Sequence, residues 1–498
     1  MAETVGSKGA GGGGAGGPLG GGAVRLEVPV TESSPAIAYL ESFIDYERST
    51  RYTYSVRTFN LERVRLLLGR LGDPHLAFPS IHVAGTNGKG TITAACASVL
   101  RAAGYRVGMY TSPHLVSFRE RVRVDGLPIS ADELEERVER LRRAIPADRS
   151  APDHGTYSFF EVYTALAFLH FALSGVDVAS VEVGLGGRLD ATNVVRTAVS
   201  VIGPIGIDHA AKLGQDVATI AAEKAAIIRE GGIVVTSPQE PEADDVIAKF
   251  ARDRGANLTR VGGSAPADFV FDEARTSLAG CSFDLSWRDG GLDGLSAPLA
   301  GLYQPSNCAT AAAACICARR AGLTIPDEAV RTGLARTRWP GRLQVLPGTP
   351  DVILDCAHNP SGAAALVGSL RALLPAGGSI TVVFGASRDK DVRGVLGVLA
   401  PLVARLVACR VDVPRAVEPE DISALAVEAG VPLSSISTAP TVAAALETAL
   451  SDPGDGSVVL VTGSIYVVGA ALAELAKRPP YAAPVVESLP IAAELWRP

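Results

Sequence analysis

The segment GTNGKGT, Gly85 to Thr91, has the residue types of a loop that holds phosphate. In the common phosphate-binding loop, GxxxxGK[ST], backbone N–H groups surround the phosphate oxygens, the lysine contacts the outer phosphates and the next hydroxyl binds Mg²⁺. Here Val83 stands where that pattern has its first glycine, and Gly90 separates Lys89 from Thr91. The segment is therefore either a phosphate-binding loop with a different spelling or a glycine-rich turn without a ligand.

Four other polar groups follow or flank apolar runs in the same part of the chain, where a metal or a substrate could bind. Each alone has an ordinary structural explanation, such as a capped loop, a packed glycine turn, a hydrogen-bonded histidine or a snorkelling lysine. Together with the glycine loop they supply a hydroxyl, a carboxylate, an imidazole and an amine, which favours one shared site. These groups are Ser112 in SPH, Glu182 before GLGGRLD, His209 in IDH, and Lys224.

The position of Lys224 on its predicted helix is a separate indication that this residue has an unusual environment. On the predicted helix 216–230, Val217, Ile220 and Ile227 form an apolar stripe, and Lys224 lies in its middle. An unpaired ammonium on a buried face is costly. Either the stem is buried and the ammonium reaches solvent, or the charge is altered, as in a carbamate formed with carbon dioxide, which is an anion and can ligate a metal.

Strand-like apolar segments alternate with helical segments along the chain, and this alternation indicates how the polar groups are positioned. The alternation predicts a doubly wound α/β sheet of parallel strands, in which ligands bind at the carboxyl ends of the strands. Residues 258–300 contain short alternating runs that predict a small β element. The predicted strands are 81–84, 105–112, 176–184 and 197–206, and the predicted helices are 91–104, 159–173 and 216–230.

The alternation restarts after a segment punctuated by Trp, Pro and Gly, which predicts a second, smaller, Rossmann-like α/β domain. The interruption itself is expected to be a hinge. We predict a disordered glycine-rich tail at 1–35, a first α/β domain that contains the glycine loop at 36–337, a hinge at 338–350, a C-terminal domain at 351–478 and a Pro-rich tail at 479–498.

Composition excludes several classes of partner. The formal net charge of the 498 residues is -7 and no run of Lys or Arg stands out, which argues against nucleic acid and anionic membranes. Seven cysteines without a CxxC pair predict reduced, mostly buried thiols in a cytoplasmic protein. No apolar segment is long enough to span a bilayer, and the N-terminus lacks a signal core.

Nine segments resemble, in order, those of the bifunctional folylpolyglutamate synthase/dihydrofolate synthase family, which is related to the Mur ligases. The resemblance extends from about residue 36 to residue 475, and in this family the GKG[ST] spelling is normal, which implies an intact ATP loop. The segments are HVAGTNGKGT, YTSPHL, RERVRVDG, VEVGLGGRLDATN, IDH with LG, EKAAI, PGRLQ, ILDCAHNP and GSIYVVG.

The resemblance implies roles for individual residues. For ATP they are Thr86, Asn87, Gly88, Lys89, Gly90, Thr91, Asn307, Arg342 and Asp355. For two Mg²⁺ ions they are Ser112, Glu182, His209 and Lys224, the last as a carbamate. For pteroate or folate they are Phe160 and Asp190, and for the incoming glutamate His358 and Ser464. Lys89, Lys224 and His358 are the implied catalytic groups, His358 as the base for the amine.

The implied activity is an ATP-dependent ligase that adds L-glutamate to folates and to dihydropteroate through an acyl phosphate. The family also implies a monomer. The alternatives are a folylpolyglutamate synthase without the dihydrofolate synthase activity, a Mur-type cell-wall ligase and a non-catalytic ATP-binding module. Few foldable residues precede the glycine loop, which disfavours the Mur-type ligase, and an ATP-binding module would not need Glu182, His209 and Lys224 together.

Overall fold

The chain forms two α/β units, one around a sheet of eleven strands and one around a sheet of six. Most of the predicted tail 1–35 lies outside the described residues, although Pro35 already begins the first helix. The computed structural model describes residues 34–46, 54–55, 58–151, 154–207, 210–264, 266–375, 380–451, 458–489 and 491.

The first unit contains thirteen strands among its described residues, two of which form a separate ribbon. They are β1 (Ser80–Ala84), β2 (Val107–Tyr110), β3 (Val122–Val124), β4 (Leu127–Pro128), β5 (Ser150–Ala151), β6 (Gly155–Thr156), β7 (Val178–Glu182), β8 (Thr197–Ile202), β9 (Ile233–Thr236), β10 (Asn257–Gly262), β11 (Phe269–Ser277), β12 (Gly280–Trp287) and β13 (Gly290–Ala297).

The order of the large sheet is β13-β12-β11-β10-β9-β8-β1-β7-β2-β3-β4. In this order, every pair of neighbouring strands from β11 through to β2 is parallel. Antiparallel strands extend the sheet beyond β11 at one edge and beyond β2 at the other. The predicted doubly wound parallel sheet is therefore confirmed for the centre. The β element predicted at 258–300 continues this sheet rather than standing apart.

Helices cover both faces of the large sheet. Consecutive residues of β2 show this, because Met109 packs into the core beneath the helices at 89–102 and 304–318, whereas Tyr110 packs into the core beneath the helices at 131–144 and 159–173. The helices of this unit are α1 (Pro35–Glu41), α2 (Leu61–Arg70), α3 (Lys89–Ala102), α4 (Ala131–Ala144), α5 (Phe159–Leu173), α6 (Ala210–Leu213), α7 (Val217–Ala225), α8 (Pro241–Asp253), α9 (Gln304–Ala318) and α10 (Asp327–Ala335).

The second unit has a sheet in the order β14-β15-β19-β16-β17-β18, and only β14 is antiparallel to its neighbour. Two apolar cores lie on its two faces, which confirms the smaller α/β fold. Its strands are β14 (Gln344–Leu346), β15 (Asp351–Leu354), β16 (Ile380–Phe384), β17 (Val403–Cys409), β18 (Ile436–Ala439) and β19 (Val458–Thr462). Its helices are α11 (Pro360–Leu373), α12 (Val392–Leu399), α13 (Pro419–Glu428), α14 (Val442–Ser451), α15 (Ile465–Leu475) and α16 (Ala482–Ser488).

Two predicted boundaries need correction. The end of the predicted hinge 338–350 contains β14, which pairs with β15 and so belongs to the second sheet. The predicted tail 479–498 contains α16, and Val485 within this helix and Leu489 directly after it are fully buried in the core of the second unit.

The predicted thiol state agrees with the structure, because all seven cysteines are free and buried. Across the described part of the chain, every helix is too short or too polar to traverse a bilayer.

The contact between α3 and α10 gives a stability prediction. A Cβ atom on Gly333 would lie 2.3 Å from the Cα atom of Val99, so an alanine there would overpack two helices. Overpacking costs about 1–3 kcal/mol, against about 1 kcal/mol gained from helix propensity. We expect Gly333→Ala to lower the midpoint of thermal unfolding. Gly368→Ala is the matched control, because no atom outside its own helix backbone lies within 4 Å of that position; equal midpoints for the two variants would contradict the packing argument.

Candidate active site

The glycine loop joins β1 to α3 at the carboxyl edge of the large sheet. Gly88 has a φ of 75° and caps the helix, so that Lys89 is the first helical residue, two positions earlier than predicted. Thr86 fixes the loop, because its hydroxyl donates to the Gly206 carbonyl over 2.9 Å. The N–H groups of the first turn lack intrahelical partners and carry the positive end of the helix dipole, which suits a phosphate.

Two glycines of the loop are required by close neighbours. A Cβ atom on Gly88 would lie 2.5 Å from the Oδ1 atom of Asn307, which places this predicted ATP residue against the loop. A Cβ atom on Gly90 would lie 2.5 Å from the indole ring of Trp339. The glycine that separates Lys89 from Thr91 therefore makes room for a side chain from the segment between the two units.

Ser112 and Glu182 meet beside the loop, because β2 and β7 are neighbouring parallel strands. The Ser112 N–H donates to Oε2 of Glu182 over 3.2 Å, and the Glu182 side chain is buried, with 5% of the residue exposed. Burial raises the pKa of Glu182 to about 7, while Lys89 and Arg342 act in the opposite direction.

This pair fits a hard divalent cation. A carboxylate and a hydroxyl are oxygen ligands of the kind that Mg²⁺ prefers, and its charge would favour the ionised form that burial disfavours. Among the described residues, no cluster of three or more His, Cys, Asp or Glu side chains could hold a metal. The predicted ligand His209 lies outside the described residues.

Lys224 reaches the same loop from the opposite side. Its helix is shorter than predicted, yet Ile220 and Ile227 are buried as the stripe requires, and Lys224 itself is 5% exposed. The Nζ atom donates to the Gly85 carbonyl over 2.8 Å. The amine therefore ends at the glycine loop rather than in solvent, which contradicts the snorkelling alternative.

A second set of charges lies where the chain enters the second unit. Asp355 accepts two backbone N–H groups at 2.8 Å and the Tyr303 hydroxyl at 3.4 Å, and burial raises its pKa against the effect of Arg342. Burial lowers the pKa of Arg342, but four neighbouring groups outweigh this effect and raise it. They are Cys356, Asp355, Tyr303 and Glu182. Arg342 thus interacts electrostatically with the carboxylates of both units.

One cleft collects the remaining predicted residues from both units. Phe160 lies partly exposed on its wall, and a Cβ atom on Gly184 would clash with that ring at 2.5 Å. Asp190 is buried and accepts the N–H groups of Leu185 and Thr192 at 2.9 Å, which fixes the loop after β7. The cleft has a volume of about 220 Å³. The predicted residues that line it are Ser112, Phe160, Asp190, Arg342, His358 and Ser464.

His358 and Ser464 are held by local backbone contacts. His358 Nδ1 lies 2.9 Å from the Cys356 carbonyl, which orients the ring. Ser464 caps α15, because its hydroxyl oxygen accepts the Val467 N–H over 3.1 Å. Both side chains therefore face the cleft from fixed positions at the carboxyl ends of β15 and β19.

Comparison with known proteins shows which families this architecture resembles. The Mur ligase middle domain matches residues 83–315, and the Mur ligase glutamate ligase domain matches residues 341–465. The dihydrofolate synthase/folylpolyglutamate synthase of Bacillus subtilis is 35% identical over 410 residues, which cover 82% of this chain and 93% of that protein. The protein of the same name from Escherichia coli is 38% identical over 409 residues, covering 82% and 89%.

The chain belongs to the dihydrofolate synthase/folylpolyglutamate synthase family. Solved structures of that family share its fold. The Mycobacterium tuberculosis folylpolyglutamate synthase complexed with ADP and AMPPCP has a TM-score of 0.76 and 34% identity, covering 82% of this chain and 94% of the other. Escherichia coli FolC in complex with DHPP and ADP has a TM-score of 0.75 and 34% identity, covering 88% and 97%.

Several groups in the cleft of this folylpolyglutamate synthase family member were missed by the motifs. Some are aromatic residues near the N-terminus, and the others lie in loops at the carboxyl ends of β16 and β17 and in α6. The strand-end rule could have identified the loop residues, since the α/β fold of the second domain was predicted. These residues are Tyr46, Tyr54, Phe59, Lys212, Ser387, Asp389, Lys390 and Arg415.

The geometry of Ser112 and Glu182 predicts where a magnesium ion would bind. Thr91 is buried on α3, one residue beyond the usual position for a metal-binding hydroxyl. We expect Glu182→Gln to raise the Mg²⁺ concentration needed for activity and to cost about 2–4 kcal/mol of transition-state stabilisation, a loss of about 30- to 1000-fold in rate. Thr91→Val should have a smaller effect. A magnesium titration that ranks the two variants in the reverse order would place the metal at Thr91.

Proposed function

We propose that this chain is an ATP-dependent ligase that joins L-glutamate to the terminal carboxylate of folates, in tetrahydrofolate polyglutamylation, and to dihydropteroate, in dihydrofolate synthesis. One observation carries the proposal. A single cleft is lined by Ser112, Phe160 and Asp190 of the first unit and by His358 and Ser464 of the second. A carboxylate substrate on one side and an amine on the other can therefore meet beside the glycine loop.

The chemistry follows from the need to activate the carboxylate. A carboxylate oxygen attacks the γ-phosphorus of ATP, and ADP leaves. The amine of glutamate then attacks the acyl carbon, phosphate leaves, and the amine loses a proton to give the amide. The first-turn N–H groups of α3, Gly88 to Thr91, and the ammonium of Lys89 stabilise the charge on the transferring phosphoryl group.

We assign the other nucleotide contacts to Thr86, Asn87, Asn307, Arg342 and Asp355. The position of Asn307 against Gly88 supports this assignment. Arg342 lies within electrostatic reach of Glu182, and a guanidinium can bind phosphate through two hydrogen bonds.

We assign two magnesium ions, one to Ser112 and Glu182 and one to His209 and Lys224. Bound Mg²⁺ would neutralise phosphate charge during transfer. The protein itself supplies a dry, fixed position for Glu182 and brings Lys224 to the same loop.

We assign Phe160 and Asp190 to the pteroate or folate, and His358 and Ser464 to glutamate, with His358 as the base for its amine. The position of Ser464 at the positive end of α15 supports an anionic ligand there. The acyl phosphate hydrolyses readily, so we also propose that the two units close on the substrates about the segment 338–343, which excludes water.

We further propose that the first domain ends near residue 337 and that the second begins near residue 344, where β14 starts. We also propose a cytosolic monomer without nucleic-acid or membrane partners. The free, buried state of all seven thiols supports a reducing compartment.

A ligation assay tests the function. We expect release of ADP and phosphate only when both L-glutamate and an acceptor are present, with one amide formed per ATP. Dihydropteroate and tetrahydrofolate should be compared as acceptors. Reaction with tetrahydrofolate alone would identify a folylpolyglutamate synthase that lacks the dihydrofolate synthase activity. ATP turnover without acceptor or glutamate would contradict a ligase.

Lys224 provides a test of the second metal site. We predict that its amine carries a carbamate, because a plain ammonium beside the glycine loop would repel the metal. Lys224→Ala should lose most activity, and bicarbonate or a short carboxylic acid should restore part of it. The matched control is Lys249→Ala on the exposed face of α8, which should be unaffected. An unmodified Lys224 by mass spectrometry, with full activity in carbonate-free buffer, would refute the carbamate.

A further inference from the structure

A chain of hydrogen bonds connects the centre of the large sheet with the cleft. It begins at His82 in β1, whose Nε2 atom lies 2.9 Å from Oγ1 of Thr192. Thr192 belongs to the loop after β7, and its hydroxyl donates to Oδ1 of Asp190, which lines the cleft. All three residues are buried, and His82 and Thr192 are both 0% exposed. The chain therefore runs through the interior of the first unit and ends at a carboxylate that faces the substrates.

The hydroxyl of Thr192 gives this chain a direction, because it has a single hydrogen to donate. If that hydrogen is donated to Asp190, the hydroxyl oxygen accepts from His82, and Nε2 carries the proton of the neutral ring. In the reverse order a protonated Asp190 donates to Thr192, Thr192 donates to Nε2, and the ring proton is on Nδ1. The two orders differ in the charge of Asp190 and in the tautomer of His82.

The contacts of Asp190 favour the first order. Its Oδ1 atom accepts the Thr192 N–H and its Oδ2 atom accepts the Leu185 N–H, both at 2.9 Å. Hydrogen bonds donated to both oxygens stabilise the ionised carboxylate. Burial raises the pKa of Asp190, and the hydroxyl of Thr192 has the largest effect in the opposite direction.

The surroundings of His82 favour the same order. Burial lowers the pKa of His82 to about 3, and Arg229 acts in the same direction, so the ring is neutral. The Nδ1 atom is buried and has no hydrogen-bond partner within the part of the chain that the structure describes. A proton on Nδ1 would be a buried donor without an acceptor, whereas a proton on Nε2 is donated to Thr192.

We propose that His82 is a positioning residue for the pteroate or folate. Its Nε2–H group directs the Thr192 hydroxyl towards Asp190, which holds this carboxylate ionised and ready to accept hydrogen bonds from the substrate. The inference rests on the proposed assignment of Asp190 to the pteroate or folate, and it extends that assignment to a residue of the sheet core that touches no substrate. Without the imidazole, the hydroxyl is free to turn away from Asp190.

Nitrogen NMR of protein labelled with ¹⁵N-histidine tests the tautomer without any substrate. The chain has seven histidines, and a His82→Gln sample identifies the signals of His82 by their loss. We expect a protonated Nε2 and an unprotonated Nδ1, unchanged between about pH 6 and pH 8, because the pKa of His82 lies far below that range. A proton on Nδ1 would overturn the proposal.

Steady-state kinetics tests the effect on the substrate. His82→Leu and Thr192→Val each remove one donor of the chain, and we expect each to raise the KM for the folate or dihydropteroate about 3- to 10-fold, as for a lost hydrogen bond near a charge. The KM values for ATP and L-glutamate, and kcat, should change less than about 3-fold. The double variant should not exceed the larger single effect, because both residues act through Asp190.

Conservative variants separate positioning from packing. His82→Gln should stay close to the unmodified protein, because the side-chain amide of glutamine can donate to Thr192 in place of the ring. Thr192→Ser should also stay close, since it keeps the hydroxyl. If His82→Gln and His82→Leu raise the KM equally, or if neither His82→Leu nor Thr192→Val raises it, the positioning role is wrong.

His170→Leu is the matched control. His170 is also buried, at 2% exposed, and its Nδ1 atom likewise has no hydrogen-bond partner among the described residues. It lies near the end of α5 and is not one of the described residues that line the cleft. The variant should leave the KM for the folate or dihydropteroate unchanged, whereas a rise equal to that of His82→Leu would attribute both effects to general loss of packing and refute the proposal.

Failure of the proposed function can be recognised separately. If the unmodified protein ligates no glutamate to a folate or to dihydropteroate, the ligase assignment fails. The NMR tautomer, and the dissociation constant of dihydropteroate measured by calorimetry for the same variants, then still decide the role of His82. Ligation by the unmodified protein, with His82→Leu and Thr192→Val unaltered, refutes only the positioning role.

Discussion

The backbone of the glycine loop is fixed by contacts from distant parts of the chain, and the rest of the site depends on it. The Gly85 carbonyl accepts the amine of Lys224, the Thr86 hydroxyl is tied to Gly206, and Gly88 lies directly against Asn307. These partners come from α7, the loop after β8 and α9. Each of these segments can approach the loop only because the parallel sheet brings β8 and β7 to either side of β1.

Buried carboxylates distinguish the interior of the cleft from the rest of the surface. Burial raises the pKa values of Glu182, Asp190 and Asp355, and Arg342 acts against this shift at Glu182 and Asp355. With a pKa of about 7, Glu182 is only partly ionised near neutral pH, so a cation bound there would displace a proton. Perturbed ionisable groups of this kind cluster at functional sites.

The sequence was sufficient to predict the alternation of strands and helices and to identify the candidate residues that lie in motifs. The buried position of Lys224 was predicted from the stripe of Ile220 and Ile227, because helix periodicity is a local property. The orientation of its amine was not, since that depends on the distance between α7 and the glycine loop. Likewise, the role of Gly90 required knowledge of Trp339, which is remote in sequence. The antiparallel edges of the large sheet and the buried face of α16 depend on long-range pairing and packing, which composition does not encode.

The buried cysteines can report how often different parts of the protein open locally. Cys96, Cys308, Cys315 and Cys317 lie in helices packed on the large sheet, whereas Cys356 and Cys409 lie in the second unit. A thiolate reacts with an alkylating reagent only when it is exposed, so each residue is labelled at the rate at which its own surroundings separate. Cys356 borders the cleft, so its labelling rate reports the separation of the two units, and the helix thiols report the breathing of the ATP-binding core.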